Sequence, residues 1–295
     1  MNVLEVKNIK KHYKGFNLDI NFNMGEGETI GFVGRNGAGK TTTIGILLNI
    51  VKKDCGDVSI FKKDHIKYEA EVKEKIGVVL EDQSFFSEMK SDYILKFCAS
   101  FYPNWDWKYT EYLKNKLGFS DNKKFKTLSK GTKKILFLII AFSCRGQLLL
   151  LDEPTSGLDP KVRNDILIEI ERIKRERVQS IFFSSHNMVD VEKLADRIIL
   201  IEGGKIVFNE KKDILLNKWK KIIFIKQKDI KIESQPYIFS ISKSNNLYEI
   251  IINNSSESVL KNIKRNIGGD IKISSLSLEQ IFLECIKDKE EKIIE

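Results

Sequence analysis

Apolar and polar residues alternate along Val3 to Ile9 and again along Asn17 to Phe22, the period of two that predicts half-buried strands, before a Gly25-Glu26-Gly27-Glu28 turn. Thr29 to Val33 is apolar throughout and predicts a buried strand running into a glycine-rich loop. After that loop the spacing of Ile44, Leu47 and Leu48 predicts a helix over Thr41 to Val51. Further strands are expected at Ile76 to Leu80, Leu148 to Leu151, Ser180 to Phe183, Arg197 to Ile201 and Ile206 to Phe208, the last two joined by a Gly203-Gly204-Lys205 turn. Helices are expected at Tyr109 to Leu117 and Ile135 to Phe142. Beyond Leu216 the pattern restarts as a small α+β module: strands at Lys221 to Ile225, Tyr237 to Ile241, Leu247 to Ile252 and Ile271 to Ile273, and helices at Val259 to Ile267 and after Ser277. Ser277 with Gln280 forms a capping-box pattern, and Leu278, Ile281, Phe282, Cys285 and Ile286 form that last helix's apolar face. The charged tail beyond Asp288 is expected to fray.

Composition narrows the picture without deciding it. With 295 residues and 42% hydrophobic content, the chain has room for one large α/β domain and a smaller module. The longest apolar runs, Leu136 to Phe142 and Leu148 to Leu151, fall short of the roughly 20 residues that a spanning helix needs. The first ten residues lack the pattern of a signal peptide, so a cytosolic chain is expected. Cys55, Cys98, Cys144 and Cys285 are scattered, and reduced, mostly buried thiols are expected. The formal charge of +9 is spread as lysines along the chain. The run Lys123, Lys124, Lys126, Lys130, Lys133 and Lys134 is not interleaved with aromatic residues, so no nucleic-acid partner is expected.

Gly34-Arg35-Asn36-Gly37-Ala38-Gly39-Lys40-Thr41 matches the phosphate-loop pattern, with Thr42 next to it at the helix start. Glycines serve there because a backbone curled around phosphate oxygens leaves no room for a Cβ. Lys40 would place its ammonium on the β and γ phosphates, Thr41 would hold Mg²⁺, and the helix would aim its positive end at the ligand. The apolar strand Leu148 to Leu151 ends in Asp152-Glu153-Pro154, putting two acids at a strand's C-terminal end, where doubly wound sheets bind ligands. Asp152 suits the Mg²⁺ shell, and Glu153 suits orientation and deprotonation of an attacking water. Adjacent acids at a strand end are otherwise a solvated turn.

Three further elements follow in order: Leu128-Ser129-Lys130-Gly131-Thr132, Ser156-Gly157-Leu158-Asp159, and Ser184-Ser185-His186. Together with the phosphate loop and the acidic strand end, this set over Met1 to Asn209 resembles the ATP-binding subunits of ABC transporters. The resemblance implies a P-loop NTPase core with an antiparallel β subdomain and a helical subdomain. It places the ATPase at 1–216, the helical part at about 84–146, and the accessory module at 217–295. It also implies ATP and Mg²⁺ as cofactors, His186 as a γ-phosphate sensor and Tyr13 as a base-stacking aromatic. Ser129 and the Gly131 N–H would engage the ATP of a second ATPase subunit, homo- or heterodimeric, at the cytoplasmic face of a membrane permease. A strand-end tyrosine also packs as an ordinary core residue.

The sequence departs from the family pattern at two places. Glu81 stands where a glutamine that approaches the metal is expected, and the nearest glutamine is Gln83, so both are candidate metal-site residues. Lys130 and Thr132 stand where many members carry glycine and glutamine. The Phe101-Tyr102-Pro103-Asn104-Trp105-Asp106-Trp107 stretch either docks a permease helix or caps the subdomain core. With the downstream signature it resembles bacterial exporter ATPases associated with bacitracin resistance and with phenol-soluble modulins. That narrower likeness implies an exporter of amphipathic or antimicrobial peptides or drugs. A weakly hydrolysing regulatory subunit is the alternative. A ribosome-acting ATPase would carry two cassettes in one chain and a DNA-repair ATPase a long heptad insertion, and neither pattern is present.

Overall fold

The apolar strands expected at Thr29 to Val33, Leu148 to Leu151 and Ser180 to Phe183 lie side by side toward one end of a ten-stranded sheet in the computed structural model. It describes residues 1–81, 83–120, 122–177, 179–225, 236–244, 246–267 and 270–287. Contacts divide the chain into two compact units, Met1–Asn209 and Glu210–Glu295, so the division falls earlier than the expected end at Leu216. The helix Lys212–Lys218 thereby goes with the second unit.

In the first unit the order is β1 (Asn2–Tyr13), β2 (Phe16–Gly25), β3 (Thr29–Val33), α1 (Lys40–Leu47), β4 (Cys55–Ile60), β5 (Lys63–Asp64), α2 (Glu69–Lys73) and β6 (Ile76–Val79). Then come α3 (Ser91–Ala99), α4 (Trp107–Lys116), α5 (Lys130–Ser143), β7 (Leu148–Asp152), α6 (Pro160–Arg177), β8 (Ser180–Ser185), α7 (Met188–Leu194), β9 (Arg197–Glu202) and β10 (Lys205–Lys211). The sheet runs β5-β4-β1-β2-β10-β9-β3-β8-β7-β6. β9, β3, β8, β7 and β6 pair in parallel and β1 pairs antiparallel with β2 and β4. This is the α/β core with its antiparallel β part. Strands β3, β7 and β8 are buried along their whole length because both faces are covered, whereas β2 alternates because one face meets water. Phe22, Phe32 and Phe182 stack on one another with centroids 5.2 to 6.1 Å apart. No helix among the described residues is long and apolar enough to cross a membrane.

Helix α1 is shorter than expected, ending at Leu47 and not Val51. Asn49 takes a left-handed φ of 55°, and the N–H groups of Ile50 and Val51 both turn back to the Gly45 carbonyl, closing the helix as a left-handed cap does. The thiols also differ from expectation: Cys144 is buried, Cys98 and Cys285 are half-buried, and Cys55, at the start of β4, is exposed. None of the four forms a disulfide, and burial pushes the Cys98 thiol up to about 11.

Helices α3, α4 and α5 form the helical part between the phosphate loop and β7. Its anchor on the core is a buried carboxylate, Glu169 of α6, which is fully enclosed. Tyr109 and Lys116 of α4 donate to it, the lysine at 2.7 Å, and so does Arg172, whose guanidinium also lies 5.0 and 4.8 Å from the Tyr109 and Tyr112 ring centroids. Burial works against ionisation of Glu169. Its hydrogen bonds from Lys116, Tyr109 and Arg172 outweigh that, and the carboxyl lies below its ordinary range.

The second unit contains α8 (Lys212–Lys218), β11 (Lys220–Ile225), β12 (Ile238–Ser244), β13 (Leu247–Ile252), α9 (Glu257–Ile267), β14 (Ile271–Ser275) and α10 (Leu278–Ile286). Its strands form an antiparallel sheet, β12-β13-β11-β14, with Ile222, Phe224, Ile250 and Ile252 packed on Ile263 and Ile267 of α9. The capping box at Ser277 and Gln280 is present. Leu278 and Ile281 are buried as the apolar face requires, and Glu284, on the same side, is buried with a 2.9 Å hydrogen bond from Ser240. The expected frayed tail beyond Asp288 lies outside the described residues.

Candidate functional site

Strand β3 delivers the chain into the phosphate loop, and the backbone there cannot be built from other residues. A Cβ on Gly34 would stand 2.3 Å from the Ile201 carbonyl oxygen. Gly37 and Gly39 have φ of 80° and 112°, left-handed values that disfavour a side chain. A Cβ on Gly39 would also meet Leu18 and Phe16 at 2.9 and 3.0 Å. Ala38 is buried, its N–H bonded to the Arg35 carbonyl and its carbonyl receiving the Gly204 N–H, so the β9–β10 turn clamps the loop from behind. Asn36, Gly37, Gly39, Lys40, Thr41 and Thr42 line one wall of a cleft of about 410 Å³, while Arg35 points to solvent. Lys40 is almost wholly buried, and its ammonium donates to the Gly34 and Arg35 carbonyls at 2.8 and 3.2 Å. It is thus suspended over the hollow of the loop.

The opposite wall is Glu81, Glu153, Ser156 and His186. Glu153 is a non-glycine residue with φ of 48°, buried to 6% exposure. One carboxylate oxygen lies 3.8 Å from the Lys40 ammonium and the other 2.8 Å from His186 Nδ1. Asp152, fully buried, accepts from the Ser184 hydroxyl through Oδ1, and the Glu153 N–H donates to the same hydroxyl at 2.9 Å. Ser184, one strand away on β8, therefore sets both acids. The second Asp152 oxygen is buried without a partner.

That orphaned oxygen is where a metal ion or its water would be satisfied. Asp152 and Thr41 would supply only part of a metal shell. That suits Mg²⁺, which keeps water and phosphate oxygens. Thr41 in the cleft wall and Asp152 fit that role.

The structure separates the two candidates after β6. Glu81 lines the cleft. Gln83 does not, because its side-chain carbonyl accepts the Leu80 N–H at 3.0 Å and it lines a separate hollow with Val78, Phe85, Cys98, Phe101 and Phe137. Of the two candidate metal-site residues, Glu81 is thus the one beside the phosphate loop. Tyr13, at the end of β1, is half exposed beside Phe16, with ring centroids 6.5 Å apart and Lys11 stacked 5.4 Å away. Phe16, which the sequence reading did not single out, is the aromatic that lines the cleft. Its one signal was position, just after the Gly15 turn.

Ser129 caps α5 by accepting the Thr132 N–H at 3.1 Å, and both Ser129 and Lys130 are exposed. Ser129 and Gly131 do not line their own chain's cleft. The aromatic stretch divides. Tyr102 donates to the Ile76 carbonyl, and the Trp105 indole nitrogen is buried, whereas Phe101 and Trp107 are exposed. A larger cleft of about 700 Å³, lined among others by Glu26, Phe61, Arg145, Glu176 and Gln179, has no phosphate loop in its wall, so chemistry and not size selects the site.

A profile of the ABC transporter family matches residues 18–156. The Bacillus subtilis ABC transporter ATP-binding protein YtrB is 28% identical over 95% of this chain and 97% of its own length, an alignment that takes in the second unit. An uncharacterized B. subtilis ABC transporter ATP-binding protein, YhcH, is 32% identical over 70% of this chain and 68% of its own. The bacitracin transport ATP-binding protein BcrA of Bacillus licheniformis is 33% identical over 64% and 62%. Among solved structures, the dimeric ATP-binding cassette MJ0796 bound to ADP and Pi has a TM-score of 0.62 at 21% identity, over 71% of this chain and 98% of that one. With the loop, Glu153 and the histidine around one cleft, this chain belongs to the ATP-binding proteins of ABC transporters, a family of ATPases.

Proposed function

We propose that this chain powers a separate membrane permease of the export type, as one of two ATPase subunits that close over two ATP molecules. The observation that carries the hydrolytic part is the setting of Glu153, whose carboxylate spans the Lys40 ammonium and His186. The phosphate loop and Lys40 bind and orient the triphosphate. Glu153 orients the attacking water and takes its proton, and His186, solvent-facing and hydrogen-bonded to Glu153, contacts the γ-phosphate. Mg²⁺, held by Thr41 and Asp152, offsets phosphate charge when bound. Positioning and fixed charge then supply most of the acceleration. Phe16 and Tyr13 offer an aromatic edge to the base.

Two features support the pairing and the docking. Ser129, Lys130 and Gly131 open helix α5 away from their own cleft, a helix start suited to a second copy's phosphate, and the MJ0796 cassette was solved as a dimer. The hollow of about 210 Å³ beside exposed Phe97 and Phe101 suits an apolar permease segment at the cytoplasmic face of the membrane. The likeness to BcrA supports amphipathic or antimicrobial peptides as cargo. Glu81 favours a second reading, a slowly hydrolysing subunit of a heteromeric pair, because its carboxylate adds negative charge beside the γ-phosphate.

The test is ATP turnover per subunit against protein concentration, alone and with the candidate permease in vesicles. Turnover that rises with concentration supports a self-pairing ATPase, and turnover that needs the permease supports assembly-dependent activation. None under either condition supports the regulatory reading.

A further inference from the structure

Three lysines, Lys130, Lys133 and Lys134, crowd the first turns of α5 with no acid in its first turn, an arrangement that the positive end of the helix dipole opposes. Cations in such a place need partners. The Lys133 ammonium lies 4.6 Å from the centroid of the Phe125 ring. The Lys134 ammonium donates to the backbone carbonyl of Glu153 at 2.9 Å.

That carbonyl belongs to the residue whose backbone is left-handed at φ 48° and whose carboxylate faces Lys40 and His186. Its other donor is the Ser156 N–H at a long 3.3 Å, and the Glu153 N–H is held by Ser184. An unfavourable φ persists only where the surroundings fix both sides of the peptide. On the carbonyl side the short, charge-assisted bond is the lysine's. The start of α5 also lies close to the loop after Glu153, since a Cβ built on Gly131 would stand 3.7 Å from the Gly157 carbonyl oxygen and from Leu158 Cδ2.

We propose that Lys134 is a positioning residue for hydrolysis: from helix α5 it holds the Glu153 backbone in the conformation that aims the carboxylate into the cleft. The same helix begins at Ser129, so movement of its start reaches the acid of its own cleft through one side chain. The catalytic part rests on the proposed role of Glu153.

The test compares Lys134→Met and Lys134→Arg in the full-length chain, in the assembly where the parent hydrolyses ATP. Lys134→Met is expected to lower kcat by about tenfold with KM for ATP changed less than about twofold, and Lys134→Arg to stay within about threefold of the parent. On a Glu153→Gln background, Lys134→Met should lower the residual rate much less than it does in the parent. Amide hydrogen exchange reads the hold without turnover, and Lys134→Met should speed exchange at Ser156 while leaving Thr43 unchanged. Parental kcat in Lys134→Met, equal losses in both single variants, or additive losses with Glu153→Gln would overturn the catalytic part. Unchanged exchange at Ser156 would overturn the hold itself, even for a subunit that hydrolyses nothing.

Discussion

The phosphate loop and the chain from Glu81 through α5 both bear on one cleft but are specified differently. In the loop, Gly34 and Gly39 are dictated by atoms closer than 3 Å to any added Cβ, and Lys40 by two backbone carbonyls. In the helical segment the contributions are side chains reaching in from outside: Glu81 to the cleft, Lys134 to the Glu153 carbonyl, and Tyr109 and Lys116 to the buried Glu169. A backbone cradle tolerates almost no variation. Side-chain reach can be supplied by different residues, and there this chain departs from its family, at Glu81, Lys130 and Thr132.

The largest effect should come from the loop. Lys40→Ala removes the buried cation of the phosphate loop, and ATP affinity by titration should fall on the order of 100-fold, about 3 kcal/mol. Near-parental affinity would mean that the cradle does not hold phosphate.

On the helical side, Glu169→Ala leaves Lys116 and Arg172 without their shared anion, and unfolding should be easier by about 3 kcal/mol. ATP affinity of the folded fraction should be kept. Equal losses of stability and affinity would erase the distinction between the two regions. The folded Glu169 carboxyl lies below its ordinary value of 4.5, so its contribution is complete above that value and is lost as pH falls through the lower, folded one. Denaturation midpoints measured on descending pH below 4.5 should therefore converge for parent and Glu169→Gln.

The smallest effect belongs to the departure itself. Glu81→Gln removes one negative charge from the cleft wall and should raise turnover by about threefold, with a lower Mg²⁺ requirement as the second readout. A loss of turnover would instead make the carboxylate a needed ligand.

What could be read in the sequence follows the same division. The loop was legible because glycine at fixed spacing has few other uses, and the Asp152-Glu153 strand end and His186 because they follow the loop in the order of the family's motifs. Lys40, Glu153 and His186 line one cleft. Spacing could not choose between Glu81 and Gln83, since that depends on which side chain the Leu80 N–H captures. Phe16 was missed because a single aromatic residue after a turn resembles any core residue. Glu169 lies in a charge-rich helix, where a carboxylate reads as solvated until α4 is packed over it. Glu284 in α10 was hidden likewise among apolar neighbours.

The central claim is that two copies close over ATP and that Glu153 ends that state by hydrolysis. The most direct measurement is the solution mass and bound-nucleotide count of Glu153→Gln with ATP and Mg²⁺, beside the same chain carrying Ser129→Arg. A dimer that retains two ATP molecules and is lost with Ser129→Arg is the predicted result. A Glu153→Gln chain that binds ATP yet stays monomeric at every concentration, or that hydrolyses at the parental rate, would contradict it.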